Sequence, residues 1–149
     1  MSIEYNIKNH AFFKGIDVDI SSIANYSTLT IFKEGEIIFR EGDKADSIYF
    51  ITHGRVALEL STAHKGKIII QTIGKDEVLG ISWLFPPYKW HFDARAIELT
   101  RAIKVDANLM IKNCEEDNRL GYVIMKGLAS IIMKRLQAVR IQLLEMEEM

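Results

Sequence analysis

The chain has 149 residues, 48% of them hydrophobic and 26% charged, which is enough apolar material for one self-sufficient core of single-domain size. Nineteen lysines and arginines nearly balance twenty aspartates and glutamates, and the net charge of −1 excludes any global attraction to nucleic acid or to an anionic lipid surface. The single cysteine, Cys114, excludes an internal disulfide and a cysteine-rich metal site, and fits a reducing compartment.

The first residues, Met1, Ser2, Ile3 and Glu4, carry neither a basic start nor a long apolar run, and no stretch of the chain reaches membrane-spanning length. A cytoplasmic protein of bacterial type is expected. Apolar positions Phe12, Phe13, Ile16, Ile20, Ile23 and Ala24 recur at three- and four-residue spacing across 9–26. This predicts short amphipathic helices capped by Asp19 or Ser21, within a lead-in covering 1–26. His10 sits just ahead and reads as a surface or capping residue.

From 27 to 106 the pattern changes to short β-rich runs at 28–32, 37–39, 48–51, 56–60, 68–73 and 94–105, punctuated by Gly35, Gly42, Gly54, Gly66 and Gly74. Alternation such as Leu58-Glu59-Leu60 or Ile97-Glu98-Leu99 buries one face, as in a sandwich or barrel. Nothing of helix length separates the runs, which excludes a parallel βαβ sheet. The third region, 107–149, is helical. Asp106 is placed to cap a short helix to about Asn113 by accepting from the free amides that follow.

A proline-free helix is predicted over 118–149. Met125, Ala129, Ile132, Leu136, Val139, Leu143 and Met146 recur at alternating spacings of four and three, an a/d seam. Ile124, Leu128, Ile131 and Arg135 form a second stripe. The expectation is that one stripe packs on the chain's own β core and the other pairs with a second copy. Gly121 and Gly127 each weaken the helix start by about 1 kcal/mol relative to alanine.

The stretch 78–96, VLGISWLFPPYKWHFDARA, holds both tryptophans and both prolines. Pro86-Pro87 bars a long helix, and Trp83, Tyr88, Trp90 and His91 offer flat faces with polar tips, so the stretch reads either as a ligand-facing loop or as a plug for one end of the β core. Nothing catalytic stands out: there is no serine elbow, P-loop or dinucleotide fingerprint, and His10, His53, His64 and His91 are scattered. No catalytic residue, metal site or cofactor is expected, and an enzyme is the least expected class.

The segment FKEGEIIFREGDKADSIYFITHGRVALEL, 32–60, with Glu41-Gly42-Asp43, Ala45-Asp46, Tyr49 and Gly54-Arg55-Val56, resembles the first half of a cyclic-nucleotide-binding domain of the catabolite activator (Crp/Fnr) family. The resemblance extends from about Ala11 to the end of the chain. It implies a mainly β fold, an eight-stranded jelly-roll-like β-roll with short N-terminal helices and a long C-terminal dimerisation helix. It also implies a phosphate-binding cassette, in which helix-start amides cradle a cyclic phosphate, a glutamate accepts from the ribose hydroxyl and an arginine forks onto the phosphate. Here the cassette glycine is Gly80, the glutamate position holds Ile81, and the arginine position falls on Trp90 or, with one insertion, His91.

Candidate ligand contacts are therefore Gly80, Ile81, Ser82, Trp83, Lys89, Trp90, His91 and Arg95. Three accounts stand together: Lys89 or Arg95 supplies the cation from a shifted position, the pocket is rebuilt for another ligand, or the aromatics fill it. Ser82 reads as a phosphate donor or as a cap of the cassette helix, and Arg95 as a phosphate contact or a structural partner of Asp93 or Glu98. The leading reading is a regulatory domain sensing a cyclic nucleotide or related small anion, homodimeric through its long helix. The alternatives are a ligand-free dimerisation module and the sensor half of a transcription regulator lacking its helix-turn-helix; as it stands the chain carries no nucleic-acid-binding or membrane-binding element.

Overall fold

The computed structural model describes residues 2–148. A short helix α1, Ile3–Asn9, leads through a turn-rich segment to one 3-10 turn, Ser21–Tyr26. Eight strands follow: β1 Ser27–Phe32, β2 Ile37–Phe39, β3 Ser47–His53, β4 Arg55–Thr62, β5 Gly66–Gly74, β6 Val78–Leu79, β7 Asp93–Ala96 and β8 Thr100–Asp106. Helices α2, Ala107–Glu116, and α3, Asn118–Glu147, close the chain. The strands form two antiparallel four-stranded sheets, ordered β1-β8-β3-β6 and β2-β7-β4-β5. This is the expected mainly β roll with flanking helices.

Strand β3 is buried on both faces from Ser47 to Ile51, and β8 mostly so. In β8, Ala102, Ile103 and Val105 are buried while Arg101 and Lys104 point to solvent, and the core residues meet Phe50, Ile51 and Tyr49 of β3 between the sheets.

Three local expectations are corrected. The lead-in helix lies at Ile3–Asn9, capped by the Ser2 hydroxyl accepting from the Tyr5 amide, and the later segment forms only turns and the 3-10 element. Asp19 does accept from the Ser21 amide. His10 is buried, its ring edge-on to Phe50 at 5.5 Å. The run 94–105 is two strands, broken at 97–99, where the Ile97 amide turns to the Arg55 carbonyl and the Thr100 hydroxyl to that of Glu98.

Asp106 caps α2 through the Leu109 amide, and α2 continues past Asn113 to Glu116. Asp117 then caps α3 through the Leu120 amide. The two stripes of α3 separate. Ile124 and Leu128 are buried, with Ile131 and Arg135 half-buried toward the roll. The seam turns outward beyond Met125, exposed from 44% at Leu136 to 68% at Met146. At Gly121 and Gly127 neighbouring groups approach α3 closely: an added Cβ would lie 2.6 Å from the Cys114 carbonyl oxygen at the first, and 2.8 Å from the Phe12 ring at the second. Their low helix propensity is offset by packing that no larger residue permits.

Candidate functional site: the cassette loop and its helix

β6 is two residues long and ends at Gly80, whose φ of +100° is open to glycine and strained for other residues. The chain then makes one 3-10 turn, Ser82–Leu84, in which the Trp83 indole N–H donates to the Gly80 carbonyl at 2.8 Å. The rest of the loop lies along the 42–45 turn. The Ala45 amide donates to the Tyr88 carbonyl (2.8 Å), the Trp90 amide to that of Asp43 (2.9 Å) and the Gly42 amide to that of Trp90 (2.9 Å). Backbone bonding of this density makes the loop a fixed wall.

Both tryptophans are interior, Trp83 at 2% and Trp90 at 4% exposure. Trp90 stacks on Phe39 of β2 with centroids 3.8 Å apart and planes 7° from parallel. Its other contact is Gly80, where an added Cβ would lie 2.6 Å from Trp90 Cη2. The Trp90 indole, at one of the two positions that the resemblance offers for the cassette's arginine, is thus packed between Phe39 and Gly80.

 

The Arg95 side chain lies on the opposite face from Ala94 and Ala96, beside Ala57 of β4, and forks onto Glu59, with Nε to Oε1 at 3.2 Å and Nη2 to Oε2 at 2.9 Å. Its partner is Glu59, rather than the Asp93 or Glu98 expected from sequence. Asp93 instead takes the Lys67 ammonium at 2.6 Å and the Glu41 amide at 2.7 Å, and Glu98 meets Arg55 at 3.4 Å. The Lys67 hydrogen bond first, and then the Glu41 amide, hold the Asp93 carboxyl below its ordinary pKa. The Glu59 hydrogen bond raises that of Arg95.

The structure therefore divides the eight candidates. Gly80, Trp83 and Trp90 come together in the core; Ile81 is half-buried against it. Ser82 Oγ and His91 Nδ1 approach to 3.2 Å, joining the two ends of the loop at its surface. Lys89 is exposed, its backbone bridged to Lys44. Cys114 is buried, and burial, then Asp117 and Glu115, push its thiol pKa up, against a reactive role.

Sequence reasoning missed the link from this loop to α3. Arg135 donates from Nη2 to the backbone carbonyl of Val78, on the open edge of β6. The available signal was that Arg135 is the one charged member of an otherwise apolar stripe. A second link is apolar: Leu84, at the end of the 3-10 turn, shares an open groove of about 450 Å³ with Ile111 and Cys114 of α2 and Tyr122 and Met125 of α3.

The sequence pattern of the family described as cyclic nucleotide-binding domain matches residues 29–117, more than half of the chain. The chain belongs to that family. It is accordingly a regulatory domain of the small-molecule-sensing type. A Geobacter metallireducens structure assigned as a cyclic nucleotide-binding protein superposes with a TM-score of 0.79 at 26% identity, covering 91% of this chain and 99% of the other. A cyclic nucleotide-binding domain from Methylobacillus flagellatus superposes at 0.81 with 16% identity, over 94% and 82% of the two chains. The Thermus thermophilus catabolite activator protein gives 0.64 at 19% identity, over 80% and 54%; the last two likenesses concern the fold.

Among curated proteins, the cAMP/cGMP-dependent 3',5'-cAMP/cGMP phosphodiesterase B of Dictyostelium discoideum is 30% identical over 118 residues. That match takes in 74% of this chain and a tenth of the phosphodiesterase's length. Among the described residues no helix is long and apolar enough to cross a membrane.

Proposed function

We propose that this domain senses a small anionic ligand at the cassette and reports it through α3, acting as a non-enzymatic cytoplasmic homodimer joined along the Met125 to Met146 seam. The observation that carries the reading is the division of labour in α3. One stripe is tied to the cassette strand at Val78, and the other is a solvent-facing apolar seam of a kind uncommon on monomeric surfaces. A ligand that favours one placement of β6 over another thereby biases the helix, since only a difference in affinity between two states shifts their populations.

The ligand class is a cyclic nucleotide or a related anion, met by Ser82, Lys89 and His91 at the loop surface. The test is thermal unfolding with cAMP, cGMP and cyclic dinucleotides in turn. A ligand at a hundred times its dissociation constant adds about 2.7 kcal/mol of stability, and under this reading Lys89→Ala abolishes the rise. Failure of every cyclic nucleotide to shift the midpoint overturns the ligand assignment.

One observation favours a second reading. Trp90, one of the two residues that the resemblance offers for the cassette's arginine position, is stacked on Phe39 and packed on Gly80. A roll filled in this way serves as a ligand-free dimerisation module, which keeps the dimer and loses the thermal shift.

A further inference from the structure

A cavity of about 320 Å³ lies outside the roll, where three distant parts of the chain meet. Its walls are Ala11 and Phe12 of the lead-in, Asp76, Glu77 and Val78 of the β5–β6 turn, and one face of α3. On the helix side stand Ser130, Lys134 and Arg135. The Arg135 guanidinium has five N–H donors, and its recorded bond is to the Val78 carbonyl. Among the described residues neither Arg135 nor Lys134 forms an ion pair within 4.0 Å.

Facing them are two carboxylates, each with one oxygen engaged. Asp76 accepts from the Ala11 amide at 3.2 Å, and Glu77 from the Gly74 amide at 3.0 Å. The turn is held from both sides. The Asp76 amide donates to the Ile51 carbonyl, the Ile51 amide to that of Glu77, and Asp76 is kept at a φ of 68°. Aspartate is among the non-glycine residues that tolerate this conformation in turns. The floor is apolar, with the Phe12 ring over Gly127 and Ile131 alongside.

We infer that this cavity binds a sugar phosphate, with the phosphate on Lys134 and Arg135 and the sugar hydroxyls on the free oxygens of Asp76 and Glu77. The volume is at the lower end of small-molecule sites, about 300 to 1,000 Å³, and suits a ligand no larger than a mononucleotide. A bare phosphate would set its charge against the acidic wall, whereas hydroxyl donors turn that wall into a partner. The apolar floor accepts the sugar ring or a base. The inference does not depend on the cassette reading, since none of the eight cassette candidates lines this cavity.

The experiment is calorimetric titration of the full chain with ribose 5-phosphate, AMP and inorganic phosphate, repeated on Lys134→Ala, Asp76→Asn and Lys89→Ala. Ribose 5-phosphate or AMP binds more tightly than inorganic phosphate. Lys134→Ala weakens either by about tenfold, equivalent to about 1.4 kcal/mol. Asp76→Asn, which keeps an acceptor for the Ala11 amide, weakens the sugar phosphates while leaving inorganic phosphate unchanged. AMP exceeding ribose 5-phosphate identifies the ligand as a nucleotide, and equal affinities identify the sugar phosphate as the whole determinant. Loss of binding in Lys89→Ala with none in Lys134→Ala places the ligand in the cassette and overturns the assignment, as does the absence of binding by all three probes to a chain whose circular dichroism and melting point are native.

Discussion

Arg135 of α3 donates its guanidinium to the carbonyl of Val78, two positions ahead of the cassette glycine Gly80. Strand β6 is a sheet edge, so this carbonyl has no strand neighbour on its outer side, and a helix side chain completes it. Burial pulls the Arg135 pKa below its ordinary value, with Glu77 opposing, yet arginine stays charged across the accessible range. Arg135→Met keeps most of the stem and removes the donor, leaving the carbonyl of buried Val78 unsatisfied. Stability falls by about 1 to 3 kcal/mol in urea titration, and hydrogen exchange accelerates at Leu79 and Gly80 while the β4–β5 pair is unaffected. Uniform exchange behaviour would mean that the bond carries no local link.

Trp90 and Gly80 are partners in packing. Trp90→Ala removes a stacked indole from the core and costs about 3 to 5 kcal/mol. Gly80→Ala is destabilising for two reasons, a positive φ and the clash with the indole. In the double substitution the second reason is gone, so the combined loss is smaller than the sum by about 1 kcal/mol or more. Strict additivity in denaturant titrations would show that the backbone conformation alone sets the cost.

Much of this was legible in the sequence. The two stripes of α3 follow from periodicity, which burial then obeys, but strand alternation was a poorer guide: Glu59 is buried, and Leu99, exposed at 45%, lies in the break between β7 and β8. The contacts that define the site are not local. Arg95 and Glu59 are 36 positions apart and Arg135 and Val78 are 57 apart, so their pairing depends on how the sheets close. The direction of Trp83 and Trp90 was undecided, because an aromatic ring serves a ligand face and a core equally well. Helix α1 escaped because its apolar positions, Ile3 and Ile7, are too few for a period.

His10 makes stability fall with acid. The Phe12 amide donates to its Nδ1 at 3.1 Å, which fixes the neutral ring as the Nε2–H tautomer, and that buried N–H has no partner within bonding distance. Burial lowers the His10 pKa, and the Asp76 carboxylate opposes this in part. The polar groove beside the ring adds Lys14 and Lys75. With the folded pKa below the unfolded value of about 6.5, the unfolded chain binds the proton first. The His10 contribution is therefore full above pH 6.5 and declines as pH falls below it, levelling off beneath the folded pKa. Urea midpoints taken from pH 7.5 to 5.0 show this decline in the native chain, and His10→Phe removes that part of it. An identical decline in His10→Phe would assign the effect to other groups.

The exposed seam gives the last prediction. Leu136 and Val139 stand on solvent-facing turns of α3, away from the buried Ile124 and Leu128. In a dimer joined along the seam they lie at a and d positions, where a lysine ammonium would be desolvated against an apolar neighbour. Leu136→Lys and Val139→Lys are then expected to turn a sedimenting dimer into a monomer at micromolar concentration. The β-roll has its own core, so far-ultraviolet circular dichroism keeps its strand signal, and the helical signal drops only as far as the end of α3 frays. If the native chain sediments as a monomer, or if both variants remain dimeric, the seam is not the interface, and Ile132, Met133 and their neighbours on α3 must face a different partner.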